Sequence, residues 1–523
     1  MKKSISTIAQ FMSKHRWVDS VALVLGLAIF ATIALINAPN ASIWFDEAFS
    51  TYISQFSFIE IAQFTAADVH PPVYYWFLKV WTSLFGTTEL AFRSMSILFG
   101  AAAIVGAFFL ARRFFGRKVA WVTLLFLIIS PILIRYSDET RMYTMAATIA
   151  MAATLVLAKG EEAKKKRWWV LYGILVSLGM WTHYFTAVVW IAHWVWHAIV
   201  VSGRGVAVKQ WLKQFFSLNW ILAYGLAVAL YIPWIPSLLS QTKTVQSGFW
   251  IGPAGPDSLT NYVTNFFFYL EHNQVIGWWA LVLFVLIAFV ILAIPRAYKA
   301  LGAKEKRNYL LIVAMAWLAP LVLFLLSLPP LSSVFVERYL IPSMVALSIF
   351  FAVTLVVGTE KWKPWLRVFP IILVVGMMIF GITNVYKYGN FNKNSNTHIL
   401  SREIVQKVQA EAPAGVPIVA NSPWIFYEAI FYNTAEHPIY FIDEATDYIY
   451  GSLDMLRDRD LHKIKDLDQF KKDNPVVWYI GNTTEVDVAP YQDSWQKVRT
   501  VGVYDDLTKK EVYKATEYRF SEE

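Results

Sequence analysis

Apolar runs, each near the length of a membrane crossing, recur from residue 18 to residue 385 and dictate what this chain can become. A helix needs about 20 mostly apolar residues to cross ~30 Å of hydrocarbon. Inside lipid the backbone must satisfy its own hydrogen bonds, so such runs are helices. They fall at 18–36, 90–111, 118–134, 142–158, 168–182, 184–201, 219–236, 276–294, 309–328, 339–358 and 366–385. Composition agrees: 57% hydrophobic, 16% charged and a mean hydropathy of +0.45, where soluble domains average about 45–50% apolar and about 25% charged. A disordered chain, a fibrous repeat and an ordinary cytosolic enzyme are excluded.

The +9 formal charge is unevenly spread. Up to Tyr386 there are 30 Lys and Arg against 15 Asp and Glu; after it, 16 against 22. A uniformly basic surface would suggest nucleic acid, but here the cations sit in short loops, where they set topology; no nucleic-acid partner is expected. Basic clusters occur at Lys2/Lys3/Lys14/Arg16, Arg112/Arg113/Arg117/Lys118, Lys159/Lys164/Lys165/Lys166/Arg167, Arg204/Lys209/Lys213, Arg296/Lys299/Lys304/Lys306/Arg307 and Lys361/Lys363/Arg367. Alternation puts all six on the cytoplasmic side and leaves Lys79, Arg135, Arg141, Lys243 and Arg338 outside. The expectation is a multi-pass plasma-membrane protein of about eleven spans, starting with an uncleaved signal-anchor and ending outside. Pro71–Phe85 is short for a span, and a crossing there would invert every later loop. It is expected to be a re-entrant or interfacial helix at the outer face.

After Tyr386 the pattern changes. Val416–Asn421, Pro438–Asp443 and Pro475–Gly481 read as buried strands, with helices at Ser401–Glu411 and Trp424–Tyr432; Lys497–Val503 and Glu511–Phe520 read as antiparallel strands. Two domains follow: a transmembrane one over 1–386 and a small extracytoplasmic α/β one over 387–523. The tail has no glycine fingerprint for a nucleotide, and Asn482-Thr483-Thr484 fits a glycosylation pattern that is common by chance. With no cysteines, disulfides, thiolate metal sites and cysteine nucleophiles are excluded.

Ionisable groups in or beside spans are costly and point to function. Here they gather on the outer side: Asp46 and Glu47 after the first span, Asp68-Val-His-Pro-Pro-Val-Tyr-Tyr75, Arg93, Arg135-Tyr-Ser-Asp-Glu-Thr-Arg-Met-Tyr143, Trp181-Thr-His-Tyr184 and Glu337-Arg-Tyr339. Each has a plainer explanation: a solvated helix end for Asp46-Glu47, a rigid turn for His70-Pro-Pro, an ion-pair network for Arg135, Asp138, Glu139 and Arg141, a satisfied histidine for His183. The Trp and Tyr excess is mainly interfacial belt and core. Convergence of six loops on one face favours a functional site.

At these residues the sequence resembles the glycosyltransferase C superfamily, and more narrowly the bacterial branch of glycosyltransferase family 39. That branch is related to dolichyl-phosphate-mannose–protein mannosyltransferases and lipid A aminoarabinose transferase. The matching features are Asp46-Glu47, His70-Pro-Pro-Val-Tyr-Tyr75, Arg93-Ser-Met-Ser96, Tyr136-Ser-Asp-Glu-Thr-Arg-Met-Tyr143, Thr182-His-Tyr184, Phe249-Trp-Ile-Gly-Pro253 and Arg338-Tyr339, over about residues 1–385. The resemblance implies a multispanning helical glycosyltransferase C-type fold with its site at the extracytoplasmic boundary. It also implies a polyprenyl-phosphate sugar donor, an inverting reaction, and Asp46 as base with Glu47 beside it. Asp138 departs from relatives that carry an amide before the Glu, and leaves open a divalent-ion requirement. The acidic tail differs from the insert of the eukaryotic enzymes, which argues against a protein acceptor.

Such a donor joins an anomeric carbon to phosphate just outside the hydrocarbon. Displacement needs a base for the acceptor proton, raised toward a useful pKa by partial burial, and positive charge on the departing phosphate. Asp46 suits the first. Arg141, Arg338, Lys243 and Arg93 suit the second, arginine as a planar fork and lysine as a point charge; losing one such contact costs about 2–4 kcal/mol in barrier. His70, Tyr74, His183 and Tyr184 are candidates to orient sugar or acceptor. Asp138 and Glu139 would position Arg141 or hold a divalent ion. The expected partners are membrane lipids, the lipid-linked donor and a cell-envelope glycan, lipid or protein acceptor. The alternative is a flippase for the same lipid, but transporters favour midplane charges and internal repeats, and here the charges collect at one edge.

Overall fold

A computed structural model describes residues 17–202, 207–247, 251–270, 277–392, 396–434, 436–442, 459–482 and 495–520. The basic N-terminus to Arg16, Arg204, Phe249-Trp250 and Thr483-Thr484 lie outside the described residues. Contacts divide the chain into a helical unit, made of residues up to Asn37 with Arg93–Lys387, and a second unit of Ala38–Phe92 with Tyr388–Glu523. Residues 38–92 therefore group with the C-terminal region.

All eleven apolar runs are helical. Among the described residues, eight helices are long and apolar enough to cross a bilayer: Trp17–Asn37, Glu89–Phe115, Tyr143–Ala163, Leu218–Gln246, Trp279–Ala300, Ala303–Leu326, Glu337–Gly358 and Pro364–Tyr388. A ninth is the pair Arg117–Ile128 and Pro131–Ser137, bent by 56°. Pro131 opens the second piece and Ser130 caps it, which accounts for the break: proline lacks the N–H that would bond back to the preceding turn, and the Ser130 side chain starts a new helix. Lys166–Thr182 and Thr186–Val201 are shorter, at 17 and 16 residues. The chain is a multi-span membrane protein.

Within the helical unit, Ile341–Gly358 is buried almost throughout and is flanked by Ala303–Leu326, Trp279–Ala300, Arg117–Ile128 and Tyr143–Ala163. Lipid gives helices no hydrophobic drive to associate, so close approach and polar contacts hold them. At Gly173 an added Cβ would stand 2.3 Å from the Ala223 carbonyl oxygen, and at Gly358 2.4 Å from that of Ala293. Tyr262 donates to Ala316 O at 2.7 Å and Asn384 to Phe268 O at 2.9 Å.

In the second unit, β1 Phe391–Asn392 pairs antiparallel with β2 Thr397–His398, and β3 Ile418–Ala420, β4 Ile439–Ile442, β5 Lys463–Ile464, β6 Val476–Asn482, β7 Trp495–Tyr504 and β8 Glu511–Phe520 form a sheet in the order β5-β4-β3-β6-β8-β7. β5, β4, β3 and β6 are parallel, while β8 pairs antiparallel with β6 and β7. Val419, Phe470, Val477 and Tyr518 build one core against the sheet. Helices Ser401–Glu411 and Pro423–Tyr432 pack together, so the α/β reading of the tail holds. Val73–Phe85 is a separate 13-residue helix; at 1.5 Å per residue it reaches about 20 Å, short of a ~30 Å crossing. Tyr74, Tyr75 and Leu78 face inward, and Phe77, Val80 and Leu84 form an exposed apolar stripe.

Candidate functional site

Asp46 and Glu47 occupy the first turn of the helix Phe45–Ile53, where unpaired backbone N–H groups favour negative charge. Its N-cap residue, Trp44, supplies no side-chain acceptor. Phe45, Phe49 and Tyr52 recur at helical spacing on one face, and their rings meet Tyr427 edge-on at 5.8, 5.8 and 5.6 Å. This turns the first-turn carboxylates away from that face: Glu47 is fully buried, Asp46 only partly. In the same unit His70 Nδ1 lies 3.2 Å from Asp68 Oδ2. The two prolines after it lead into the next helix, where Tyr74 and Tyr75 are wholly buried with their rings 5.5 Å apart.

The segment before the carboxylates is secured by late residues of this unit. Ser42 donates to Glu403 at 2.8 Å, the Ile43 N–H to Tyr432 Oη at 2.6 Å, and Ser401 to the Ile43 carbonyl at 3.1 Å. Tyr432 in turn donates to Glu89, which Arg402 also binds at 2.8 Å. Tyr513 donates to Glu428 Oε2 at 3.3 Å. Burial, opposed by its hydrogen bonds and aided by the charge of Glu47, pushes that carboxyl up to about 8.

In the helical unit, the loop between Pro131–Ser137 and Tyr143–Ala163 carries Asp138, Glu139 and Arg141, all buried. Arg135 pairs with Glu139 at 2.8 Å and donates from Nε to Tyr269 at 3.1 Å, so the four-residue ion pair exists. Asn37 donates to Asp138 at 2.8 Å. Ser96, one turn beyond buried Arg93, donates to the Arg141 carbonyl at 3.3 Å, and Thr144 returns a bond to Ser96 O at 3.0 Å. The motifs Arg93-Ser-Met-Ser96 and Tyr136–Tyr143 are thereby stitched together.

Tyr143 collects the rest. Its ring lies 5.5 Å from Tyr136, 5.8 Å from His183 and 6.3 Å from Tyr339, and the Arg338 guanidinium stands 6.0 Å from its centroid, within cation–π range. His183 and Phe185 also meet Tyr339, at 4.9 and 4.8 Å. Tyr184 points elsewhere: it receives Trp234 Nε1 at 2.8 Å and donates to Gln241. Lys243, two residues after Gln241, is exposed. Among the described residues no group of three or more His, Asp or Glu is placed to hold a metal ion.

Sequence reasoning missed Asn37 and Tyr269, at the ends of apolar stretches, and Gln241, within the polar stretch Ser240-Gln-Thr-Lys243; none has a motif around it. It also missed Glu428. A lone carboxylate within Pro423-Trp-Ile-Phe-Tyr-Glu-Ala-Ile-Phe-Tyr432 was the available signal.

Comparison with known proteins bears on both units. Residues 69–236 match the family model described as dolichyl-phosphate-mannose-protein mannosyltransferase. The fold is similar to that of ArnT from Cupriavidus metallidurans bound to undecaprenyl phosphate, at 15% identity over 95% of this chain and 98% of that one, with a TM-score of 0.58. The apo form of that protein gives 14%, the same coverage and 0.59. Comparison with curated protein sequences gave no match. The chain thus has the glycosyltransferase C-type fold, mannosyltransferase-like over 69–236, as the motif resemblance implied.

Proposed function

We propose that this protein is an integral membrane glycosyltransferase that moves a sugar from a polyprenyl-phosphate carrier to an extracytoplasmic cell-envelope acceptor. The family match across the segment that carries the His70, Arg141 and His183 motifs is the observation that bears the most weight. The fold likeness to a protein bound to undecaprenyl phosphate supports the donor class.

In the proposed reaction the acceptor oxygen attacks the anomeric carbon from the face opposite the phosphate, with inversion. The bond from that carbon to the phosphate oxygen breaks, and Asp46 takes the acceptor proton. Asp46 is suited to this because a half-buried carboxylate at a helix N-terminus is accessible and held in place; Glu47, fully buried, supports it. Arg141 and Arg338 receive the leaving polyprenyl phosphate, since preorganised guanidiniums in a dry setting stabilise developing negative charge well. Buried Arg93 is a further group for the leaving phosphate, and exposed Lys243 adds only a point charge. His70, Tyr74, His183 and Tyr184 orient sugar and acceptor. Asp138 and Glu139 fix the Arg141 loop, and a divalent ion there is a further reading to be tested by chelation. The N-terminus is assigned to the cytoplasm and residues 387–523 to the outside.

Proteoliposomes carrying undecaprenyl-phosphate-linked sugars and envelope acceptors test this directly. Wild type should transfer sugar and Asp46→Asn should not; equal turnover removes Asp46 from the mechanism. Lipid scrambling without transfer would favour a flippase. Reporters fused after Arg296 and Phe391 should read cytoplasmic and external; the reverse would make Val73–Phe85 a crossing.

A further inference from the structure

Where a short helix points depends on how its start is held and how it is turned about its axis. Ser42 and Ile43, just ahead of the Phe45–Ile53 helix, are both fully buried, so water cannot take over a bond that they lose. Ser42 donates to Glu403 at 2.8 Å. The Ile43 N–H donates to Tyr432 Oη at 2.6 Å, and the Ile43 carbonyl accepts from Ser401 at 3.1 Å. Both backbone groups of one residue are thus held by side chains 358 and 389 positions later. Tyr432 ends the helix Pro423–Tyr432, which also supplies the rings that fix rotation. Phe45, Phe49 and Tyr52 meet Tyr427, and Phe45 meets Trp424 at 6.3 Å. All of these contacts lie within one unit.

We propose that Tyr432 is a positioning residue whose hydroxyl clasps the backbone of Ile43 and, with the rings of Trp424 and Tyr427, makes the helix Pro423–Tyr432 the platform from which Asp46 is aimed. This gives the α/β tail a part in the reaction, as the support of the acid. The catalytic part rests on the reading of Asp46 as base; the clasp itself does not.

The direction of each bond follows from its donor. The Ile43 N–H can only donate, so Tyr432 Oη accepts there and gives its single hydrogen to Glu89. Glu89 is ion-paired with Arg402 at 2.8 Å, and Arg402 also donates to Pro39 O at 3.1 Å. The run therefore goes from Ile43 N–H to Tyr432 to Glu89, and Arg402 closes it. A carboxylate that accepts the phenol hydrogen makes the phenol oxygen a better acceptor for the Ile43 N–H. Loss of the hydroxyl breaks both bonds at once: a buried N–H is left unsatisfied, and Glu89 loses a donor. The Tyr432 ring, packed on Phe431 at 4.9 Å, does not depend on that hydroxyl. Tyr432→Phe thus separates the clasp from the packing of its helix.

Hydrogen exchange on the full chain in nanodiscs, read in a peptide covering residues 40–49, tests the clasp without any substrate. Tyr432→Phe should speed exchange there about three- to tenfold, the range of one lost hydrogen bond. Tyr440→Phe, on β4 against Phe470, should match wild type. If Tyr432→Phe does not fold, Ser401→Ala, which removes the donor to the Ile43 carbonyl, must show the same local rise. Wild-type exchange in the variant that folds overturns the proposal. In transfer assays Tyr432→Phe should lower kcat about ten- to a hundredfold at unchanged KM, as a small misplacement of a reacting group does. In an Asp46→Asn background the same change should have no further effect, because the group it aims is gone. A merely structural tyrosine would lower the residual rate of Asp46→Asn by the same factor, and that result overturns the positioning role. An Asp46→Asn as active as wild type, with the exchange results intact, defeats the reading of Asp46 as base and leaves the clasp standing.

Discussion

The two charge-bearing regions are secured in different ways. Around Arg141, Ser96, Thr144 and the Arg135–Glu139 pair tie one loop to helices of the same unit, and Asn37 and Tyr269 reach it from 101 and 134 positions away. Around Asp46, the partners come from the far end of the chain; Ser42 and Glu403 are 361 positions apart. The cationic region depends on packing within the helical unit. The carboxylate region depends on a later-made layer of the second unit.

Substitutions break this comparison in graded steps. Asp46→Asn should have the largest effect, a loss of about 10²–10⁴ in transfer rate, the range for a general base, with unchanged thermal unfolding. Arg141→Ala should cost about 10²–10³ in kcat, as loss of one preorganised donor does. Arg141→Lys should recover only part, because an ammonium cannot reproduce the fork. Gly173→Leu should lower stability by about 1–3 kcal/mol through overpacking against Ala223, read as a fall in Tm. Arg402→Ala should cost about 1.5 kcal/mol, the low end for a hydrogen bond to a charged group, because its side chain is partly hydrated. Its exchange signature should stay within residues 39–44 and 89–92. Lys243→Ala should be mildest, a change in KM of about threefold or less, since an exposed charge is screened. A large effect there would draw Lys243 into the site.

The spans were legible because hydrocarbon imposes one rule on every residue it touches, and all eleven runs formed helices. Strand and helix periods in the tail were equally readable: Val416–Asn421 and Pro475–Gly481 became β3 and β6, paired in parallel. The Arg135–Glu139 pair followed from spacing alone. Other features followed no local rule. The sequence shows that Tyr184 follows His183, but not that a non-helical turn sends one ring to Tyr339 and the other hydroxyl to Gln241. It shows Asp46 after a span, but not that Ser42 and Ile43 just ahead of it would be held by Glu403, Ser401 and Tyr432. Long-range polar partners leave no periodicity, and only their chemical oddity, a Glu among aromatics, marks them.

These late partners also have a consequence for synthesis. At about 5–20 residues per second, some 360 further residues take roughly 20–70 s to emerge. For that interval the newly made residues Ser42 and Ile43, just ahead of the Phe45–Ile53 helix, exist without Glu403, Ser401 and Tyr432 to hold them. A ribosome stalled before Ser401 would therefore leave a chain whose membrane helices are nearly all made while the approach to Asp46 is still unanchored.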